Sequence, residues 1–138
     1  LCILRDFSPE AALEAIAREK LDCAWLAPVM TSAMLAAAPA SGLDLNSLRW
    51  VIGGGERTPE ARIRSFGESF PKARYIDAYG LTETCSGDTL METGREIEKI
   101  GSVGRALAHV EIDIRDEAGR PLPAGETGEI CLRGPKIT

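Results

Sequence analysis

A chain of 138 residues, 44% of them hydrophobic and 27% charged, is long enough for one domain with a real core and too apolar to be a disordered segment. Sixteen basic against twenty-one acidic residues leave a net charge of −5, and no basic stripe interrupts the chain, which argues against nucleic acid as a partner. No apolar run approaches the roughly 20 residues that span a bilayer and no signal peptide opens the chain, so no integral membrane segment is expected and the expected location is cytoplasmic.

The chain opens on the short apolar run Leu1 to Leu4. Ser8-Pro9-Glu10 then combines an N-cap, a proline at the first helical position and an acid in the first turn, which predicts a helix. Ala12, Leu13, Ile16 and Ala17 recur on one face of it, against Glu10, Glu14, Arg18 and Glu19 on the other. Leu21 to Ala27 predicts a buried strand, with Trp25 in the core. Pro28 starts a second helix that runs to about Ala38, with Met30 and Met34 as core packing, and Pro39-Ala40-Ser41-Gly42 breaks it. Leu43 to Leu48 is a surface connection into a strand at Arg49-Trp50-Val51-Ile52, where Trp50 is also expected in the core, and Gly53-Gly54-Gly55 ends that strand. Thr58-Pro59-Glu60 repeats the cap signature and predicts a helix from Pro59 to about Ser69, with Ile63 and Phe66 inward and Arg62 outward; Ala73 to Asp77 is the next strand.

This alternation predicts an α/β fold, a mainly parallel sheet with covering helices. Cys85 to Glu98 is polar and glycine-bearing and predicts a long ordered loop, and Ile100 to Arg105 a tight turn. Val110 to Ile114 and Glu129 to Arg133 alternate as half-buried strands, joined through a hairpin-like turn at Glu117-Ala118-Gly119-Arg120. A partial nucleotide-binding subdomain at 1–99, followed by the start of a β-rich subdomain at 100–138, is the expected organisation.

The cysteines Cys2, Cys23, Cys85 and Cys131 are far apart and form no C-x-x-C pair, and His109 is the only histidine. Zinc-ligand spacing and a histidine-based triad are therefore missing from the pattern, and a Cys85–His109 couple has no signature linking its members. In open α/β sheets ligands bind at the carboxyl ends of the strands, and two strands here end in unusual sequence: Gly53-Gly54-Gly55 and Ala78-Tyr79-Gly80. A glycine edge facing a tyrosine makes a slot about one aromatic ring thick. In Asp77-Ala78-Tyr79-Gly80-Leu81-Thr82-Glu83-Thr84, taken as a turn after the strand, a ring face, a hydroxyl and a carboxylate lie within five residues, as stacking on a base, bonding to an anionic oxygen and holding Mg²⁺ require. On its own the run fits a buried aromatic before a helix cap equally well.

Four blocks in order carry a resemblance over nearly the whole chain: Val51-Ile52-Gly53-Gly54-Gly55-Glu56, Tyr79-Gly80-Leu81-Thr82-Glu83-Thr84, Gly101-Ser102-Val103-Gly104-Arg105, and Gly128-Glu129-Ile130-Cys131-Leu132-Arg133-Gly134-Pro135. The sequence resembles the middle of an adenylate-forming (AMP-binding) enzyme, the superfamily of acyl-CoA synthetases, luciferases and peptide-synthetase adenylation domains. Leu81 and the Arg133-Gly134-Pro135 ending are more similar to the acyl-CoA ligases.

The resemblance implies a carboxylic acid, ATP and coenzyme A as small-molecule partners, with Mg²⁺: an acid is adenylated to acyl-AMP and pyrophosphate, then passed to a thiol, either of coenzyme A or of a carrier protein. It implies adenine between Gly54-Gly55-Glu56 and Tyr79 with Ala78 and Gly80 beside it, Asp77 accepting from the adenine amino group, Thr82 on the α-phosphate and Glu83 on Mg²⁺. Gly101, Gly104, Gly128 and Gly134 are taken as structural turn residues.

Three departures stand out. Glu56-Arg57 replaces the Ala-Pro of many relatives, and Arg57 is expected at the surface. Ala78 stands where many fatty-acid-activating members have Gly, so its methyl is expected to narrow the acyl entrance. The family's phosphate loop, ribose-binding Asp, hinge and catalytic Lys are not in the sequence, which begins at Leu1 without an initiator Met. An internal fragment, inactive alone and prone to aggregate or to bind ATP weakly, is the resulting expectation. Its acyl pocket is expected to draw on parts of Trp25 to Met34 and on the segment after Thr84. The alternative is a non-catalytic nucleotide-binding or scaffolding module.

Overall fold

In the computed structural model, which describes residues 1–137, three strands pair in parallel through β-α-β crossovers: β1 (Cys23–Trp25), β2 (Trp50–Gly54) and β3 (Arg74–Leu81). Two more, β4 (Ser86–Leu90) and β5 (Arg105–Ala106), add antiparallel strands in the order β1-β2-β3-β4-β5. β6 (Glu111–Arg115) and β7 (Glu129–Arg133) form a separate antiparallel pair. The expected α/β class holds, as a mixed sheet that is parallel over its first three strands. Thr138, the last residue of the expected β-rich tail, lies outside the described residues.

Helix α1 (Pro9–Glu19) starts as its sequence dictates: the Ala11 N–H donates to Ser8 Oγ at 3.1 Å, and Pro9 occupies the first turn, where its missing N–H costs nothing. Helix α2 (Pro28–Ser41) runs three residues past Ala38 and carries Pro39 inside its last turn; the chain leaves it only at Gly42, in the left-handed region at φ +64°. Glycine meets that conformation without a Cβ penalty, so Gly42 ends this helix and Pro39 does not. Helix α3 (Glu60–Ser69) is capped by Pro59 and makes no side-chain cap bond; Thr58, expected to cap it, bonds elsewhere. Arg62, expected outward, is mostly covered, at 16% side-chain exposure, and pairs with Glu56 at 3.2 Å.

Side chains alternate across a strand, so Val51 and Tyr75 share one face while Trp25, Trp50 and Ile52 share the other. The core gathers on the first face: Leu13 and Ile16 of α1, Met34 of α2, Ile63 and Phe66 of α3, with Phe70, Leu48, Val51 and Tyr75. Phe66 stands between Phe70 and Tyr75, at ring-centroid distances of 5.0 and 5.5 Å, in the tilted geometry aromatic quadrupoles favour.

The two tryptophans correct the sequence reading. Trp25 is 64% and Trp50 36% exposed, because both lie on the face away from the helices and β1 is an edge strand. Together with Leu1, Ile3 and Leu4, which form no strand, they line an open apolar cleft.

Cys85 to Glu98, expected to be a loop throughout, begins with the strand β4, and the loop proper starts after Leu90. That loop is tied to the sheet by Arg74 and Glu96, whose Nε and Oε1 are 2.5 Å apart. The Gly101–Arg105 block then returns tightly against β4: Thr89 Oγ1 donates to the Val103 carbonyl at 2.6 Å and the Leu107 N–H to the Asp88 carbonyl at 2.8 Å. Gly104 sits at φ +84°, and a Cβ there would fall 1.9 Å from the Leu90 carbonyl oxygen. Gly104→Ala therefore combines left-handed strain with a backbone overlap, and is expected to destabilise by about 3 kcal/mol or more. Urea unfolding of the full-length gene product checks this; a midpoint equal to the parent's would contradict it.

Candidate active site

The parallel register sets Gly53 level with Asp77 and Gly54 level with Ala78, which places both unusual strand ends at one edge of the sheet. The three glycines have separate tasks. Only Gly55, at φ +99°, makes the turn. A Cβ on Gly53 would fall 1.9 Å from the Tyr75 hydroxyl oxygen, and one on Gly54 2.8 Å from the Ala78 carbonyl oxygen. The tyrosine packed against Gly53 is thus Tyr75, from inside the core, and Tyr79 lies further along β3.

The predicted turn at Ala78–Gly80 is instead strand. β3 runs on to Leu81, held on its far side by β4, and only Thr82–Thr84 turns, as one turn of 3-10 helix. Cys85 closes that turn in the left-handed region, at φ +54°.

Asp77 is 7% exposed, and its carboxylate accepts a short hydrogen bond from the Thr58 hydroxyl. Thr58 Oγ1 is also 3.5 Å from the Tyr75 hydroxyl. Burial raises the Asp77 carboxyl above the usual carboxylate range, against the opposing pull of Thr58 and of the Arg62 charge. The Tyr75 phenol is pushed up by its burial, with the Thr58 bond opposing and the Asp77 charge adding to the rise. Thr58 and Tyr75 escaped the sequence reading, because nothing local marks a loop hydroxyl that will meet a carboxylate and a phenol on β3.

Two clefts flank the end of β3. One, of about 390 Å³, is lined by Gly55, Glu56, Arg57, Thr58, Asp77 and Tyr79 and bounded across by Gly101-Ser102-Val103. The other, of about 490 Å³, is lined by Trp25, Gly54, Gly55, Tyr79, Thr82, Cys85 and Gly87. Ala78, Gly80 and Leu81 line both. Most of the expected site residues thus meet at one place. Glu83 follows Thr82 in the exposed turn and lines neither cleft, while Cys85 and the exposed Trp25 join the second. Arg57, exposed as expected, lines the first cleft and reaches to 3.4 Å of where a Gly101 Cβ would lie, so the Gly101 block is also a wall of the site.

For a metal, the chain offers no cage: among the described residues no group of three or more His, Cys, Asp or Glu side chains is placed to hold an ion. A single carboxylate in a turn beside a threonine hydroxyl fits Mg²⁺, which takes one or two protein carboxylates and completes its shell with phosphates and water.

A family model described as "AMP-binding enzyme" matches residues 1–138, and the chain belongs to that family. It is 31% identical over 134 residues to a feruloyl-CoA synthase of Amycolatopsis sp, covering 95% of this chain and 26% of that protein. Among solved structures, an anthranilate CoA ligase in complex with anthranoyl-AMP superposes with a TM-score of 0.84 at 29% identity, over 99% of this chain and 26% of that one. The O-succinylbenzoate coenzyme A synthetase of Bacillus subtilis, in complex with ATP and magnesium, gives 0.83 at 27% identity, over 95% and 26%. The chain therefore spans about a quarter of the length of these relatives. No helix among the described residues is long and apolar enough to cross a membrane.

The raised Asp77 carboxyl predicts a pH-dependent stability. The folded state holds this proton more tightly than the unfolded chain, so the burial penalty is absent below the ordinary carboxylate range and complete above the folded value. Asp77→Asn keeps an oxygen acceptor for Thr58 and removes the buried charge. Its melting midpoint should exceed the parent's at pH 7, with the difference closing as pH falls through the carboxylate range; a constant difference would contradict the assignment.

Proposed function

We propose that this chain supplies one side of the active site of an ATP-dependent carboxylate:CoA ligase. The observation that carries the reading is the pair of clefts sharing Ala78, Gly80 and Leu81, one with the buried Asp77–Thr58 couple and the other with Trp25 and Thr82. An adenylating enzyme must hold a base and a carboxylate on either side of one phosphorus, and two pockets meeting at one strand end suit that requirement.

In this reading the adenine enters the first cleft, where Gly55-Glu56 supply backbone and Tyr79 a ring face, while Gly54, expected beside them, lines the second cleft. Asp77 accepts from the exocyclic amino group while Thr58 keeps the carboxylate aimed. The α-phosphate lies at Thr82, whose hydroxyl donates to a non-bridging oxygen. Glu83 would hold Mg²⁺, which when bound offsets phosphate charge and eases departure of pyrophosphate. The acid occupies the second cleft with its carboxylate towards Thr82; its oxygen bonds to the α-phosphorus as the bond to the β-phosphate oxygen breaks. Acyl-AMP then passes its acyl group to the thiol of coenzyme A and AMP leaves. No protein nucleophile is needed, so the chain's work is positioning and charge stabilisation.

In this reading Ala78 and Trp25, which line the second cleft, meet the acyl group. Relatives named for ferulate, anthranilate and O-succinylbenzoate support a cleft of this kind taking an aryl-bearing acid.

Two predictions follow from the roles. In the full-length gene product, Glu83→Gln should lower pyrophosphate release about 100-fold with the fold intact, and Tyr79→Ala should weaken ATP affinity by about 1–3 kcal/mol through lost stacking. Parent activity in both variants would end this reading and favour a non-catalytic nucleotide-binding module. Separately, Ala78→Gly should extend the range of accepted acids toward longer chains in a pyrophosphate-release screen of fatty, aryl and short acids. An unchanged profile would remove Ala78 from the acyl entrance.

A further inference from the structure

Behind the Thr82–Thr84 turn lies a buried charge that the proposed reaction does not use. In the β3–β4 ladder Tyr79 pairs with Thr89, but Gly80 pairs with Gly87, so β4 carries one extra residue, Asp88. A bulge re-aims the side chain it carries, and this one goes inward: Asp88 is 0% exposed. Its Oδ2 accepts from Thr84 Oγ1 at 2.5 Å, and its Oδ1 lies 2.8 Å from the Nζ of Lys136, in the segment after β7. Lys136 also donates to the Gly87 carbonyl at 2.5 Å. Thr84 Oγ1 in turn accepts from the Leu81 N–H at 3.1 Å. One line of polar contacts thus runs from Lys136, in the segment after β7, through Asp88 and Thr84 to the last residue of β3.

We propose that Asp88 and Lys136 form a positioning pair, which fixes the Thr82–Thr84 turn and so sets the Thr82 hydroxyl and Glu83 carboxylate against the nucleotide phosphates. The inference rests on the roles given above to those two residues. Two observations separate it from an ordinary ion pair. A surface pair at this spot would leave the turn to its own short 3-10 geometry, whereas here the bulge delivers a fully buried carboxylate to Thr84, whose hydroxyl bonds back to Leu81 at the start of the turn. The partner cation also comes from the segment after β7, so the turn is clamped only when that segment is in place. Burial by itself would raise the Asp88 carboxyl, but the bonds from Lys136 and Thr84, the Lys136 charge and the Leu81 N–H hold it below the usual range.

The test uses the full-length gene product with Asp88→Asn, Lys136→Gln and the double Asp88→Leu/Lys136→Met, in which apolar side chains replace both charges and no lone buried charge remains. The readouts are the melting midpoint, the acid KM and kcat for pyrophosphate release, and ATP affinity by calorimetry across a Mg²⁺ titration. The expected result is a folded double variant with an unchanged acid KM, kcat lower by about 100-fold, and ATP affinity that no longer rises with Mg²⁺ as the parent's does. A folded double variant with parent kcat and parent Mg²⁺ response overturns the proposal. So does failure of all three variants to fold, which would make the pair purely structural; if only the single variants fail, the double decides. Glu83→Gln separates the two levels. If it retains parent activity, the functional reading itself fails; if it is inactive while the double variant is parent-like, only the positioning role fails.

Discussion

The parallel register of β2 on β3 is the constraint from which the site descends. Because Gly53 lies level with Asp77 and Gly54 with Ala78, the two strands end together, and the residues just beyond them share one edge. That register can close only if nothing projects from β2 at two points. A methyl on Gly53 would displace Tyr75, whose ring belongs to the core and whose hydroxyl reaches Thr58. A methyl on Gly54 would strike the Ala78 carbonyl. The glycines are thus packing requirements before they are anything else, and the open space around the strand ends is a by-product of that packing.

Much of this was legible in the sequence, and what was not failed for identifiable reasons. Ser8-Pro9-Glu10 and Thr58-Pro59-Glu60 look alike, yet only Ser8 caps a helix. Thr58 has a charged acceptor within reach, Asp77 on β3, and a charge-assisted bond outweighs a cap to a backbone N–H. Local sequence holds no record of that competitor. Trp25 and Trp50 sit in apolar runs that fit a buried strand, but hydrophobicity does not say which face of a sheet the helices cover. β4 opens on Ser-Gly-Asp, whose Gly and Asp are poor strand formers, and is stabilised by pairing on both sides, so tertiary context overrides propensity there. Gly80 has the look of a turn and is instead a strand residue next to a bulge.

The candidate site was more legible than the fold details, because its residues cluster in short runs whose types are unusual together. Its supporting residues were not. Thr58, Tyr75, Asp88 and Lys136 are ordinary in their local sequence, and each takes its meaning from a contact across elements. A functional group that meets a ligand is selected by chemistry and shows in the residue type. A group that aims it is selected by geometry, and several types can serve.

This distinction bears on how the two sheets depend on each other. Buried polar chains are costly unless every member is satisfied, and two such chains lie on either side of β3: Asp77–Thr58–Tyr75 towards the helices, and Lys136–Asp88–Thr84 towards β4 and the β6–β7 sheet. The first is complete within the five-stranded sheet and its helices. The second is complete only with Lys136 in place. Removing that cation would leave Asp88 buried with hydroxyl and amide donors alone, and the cheapest relief would be to rotate its carboxylate toward water. That motion pulls on Thr84 and, through the Leu81 N–H, on the end of β3, where both clefts meet. The Thr82–Thr84 turn is therefore held to the extent that Lys136 stays in place, and the segment after β7 acts on that turn without lining either cleft.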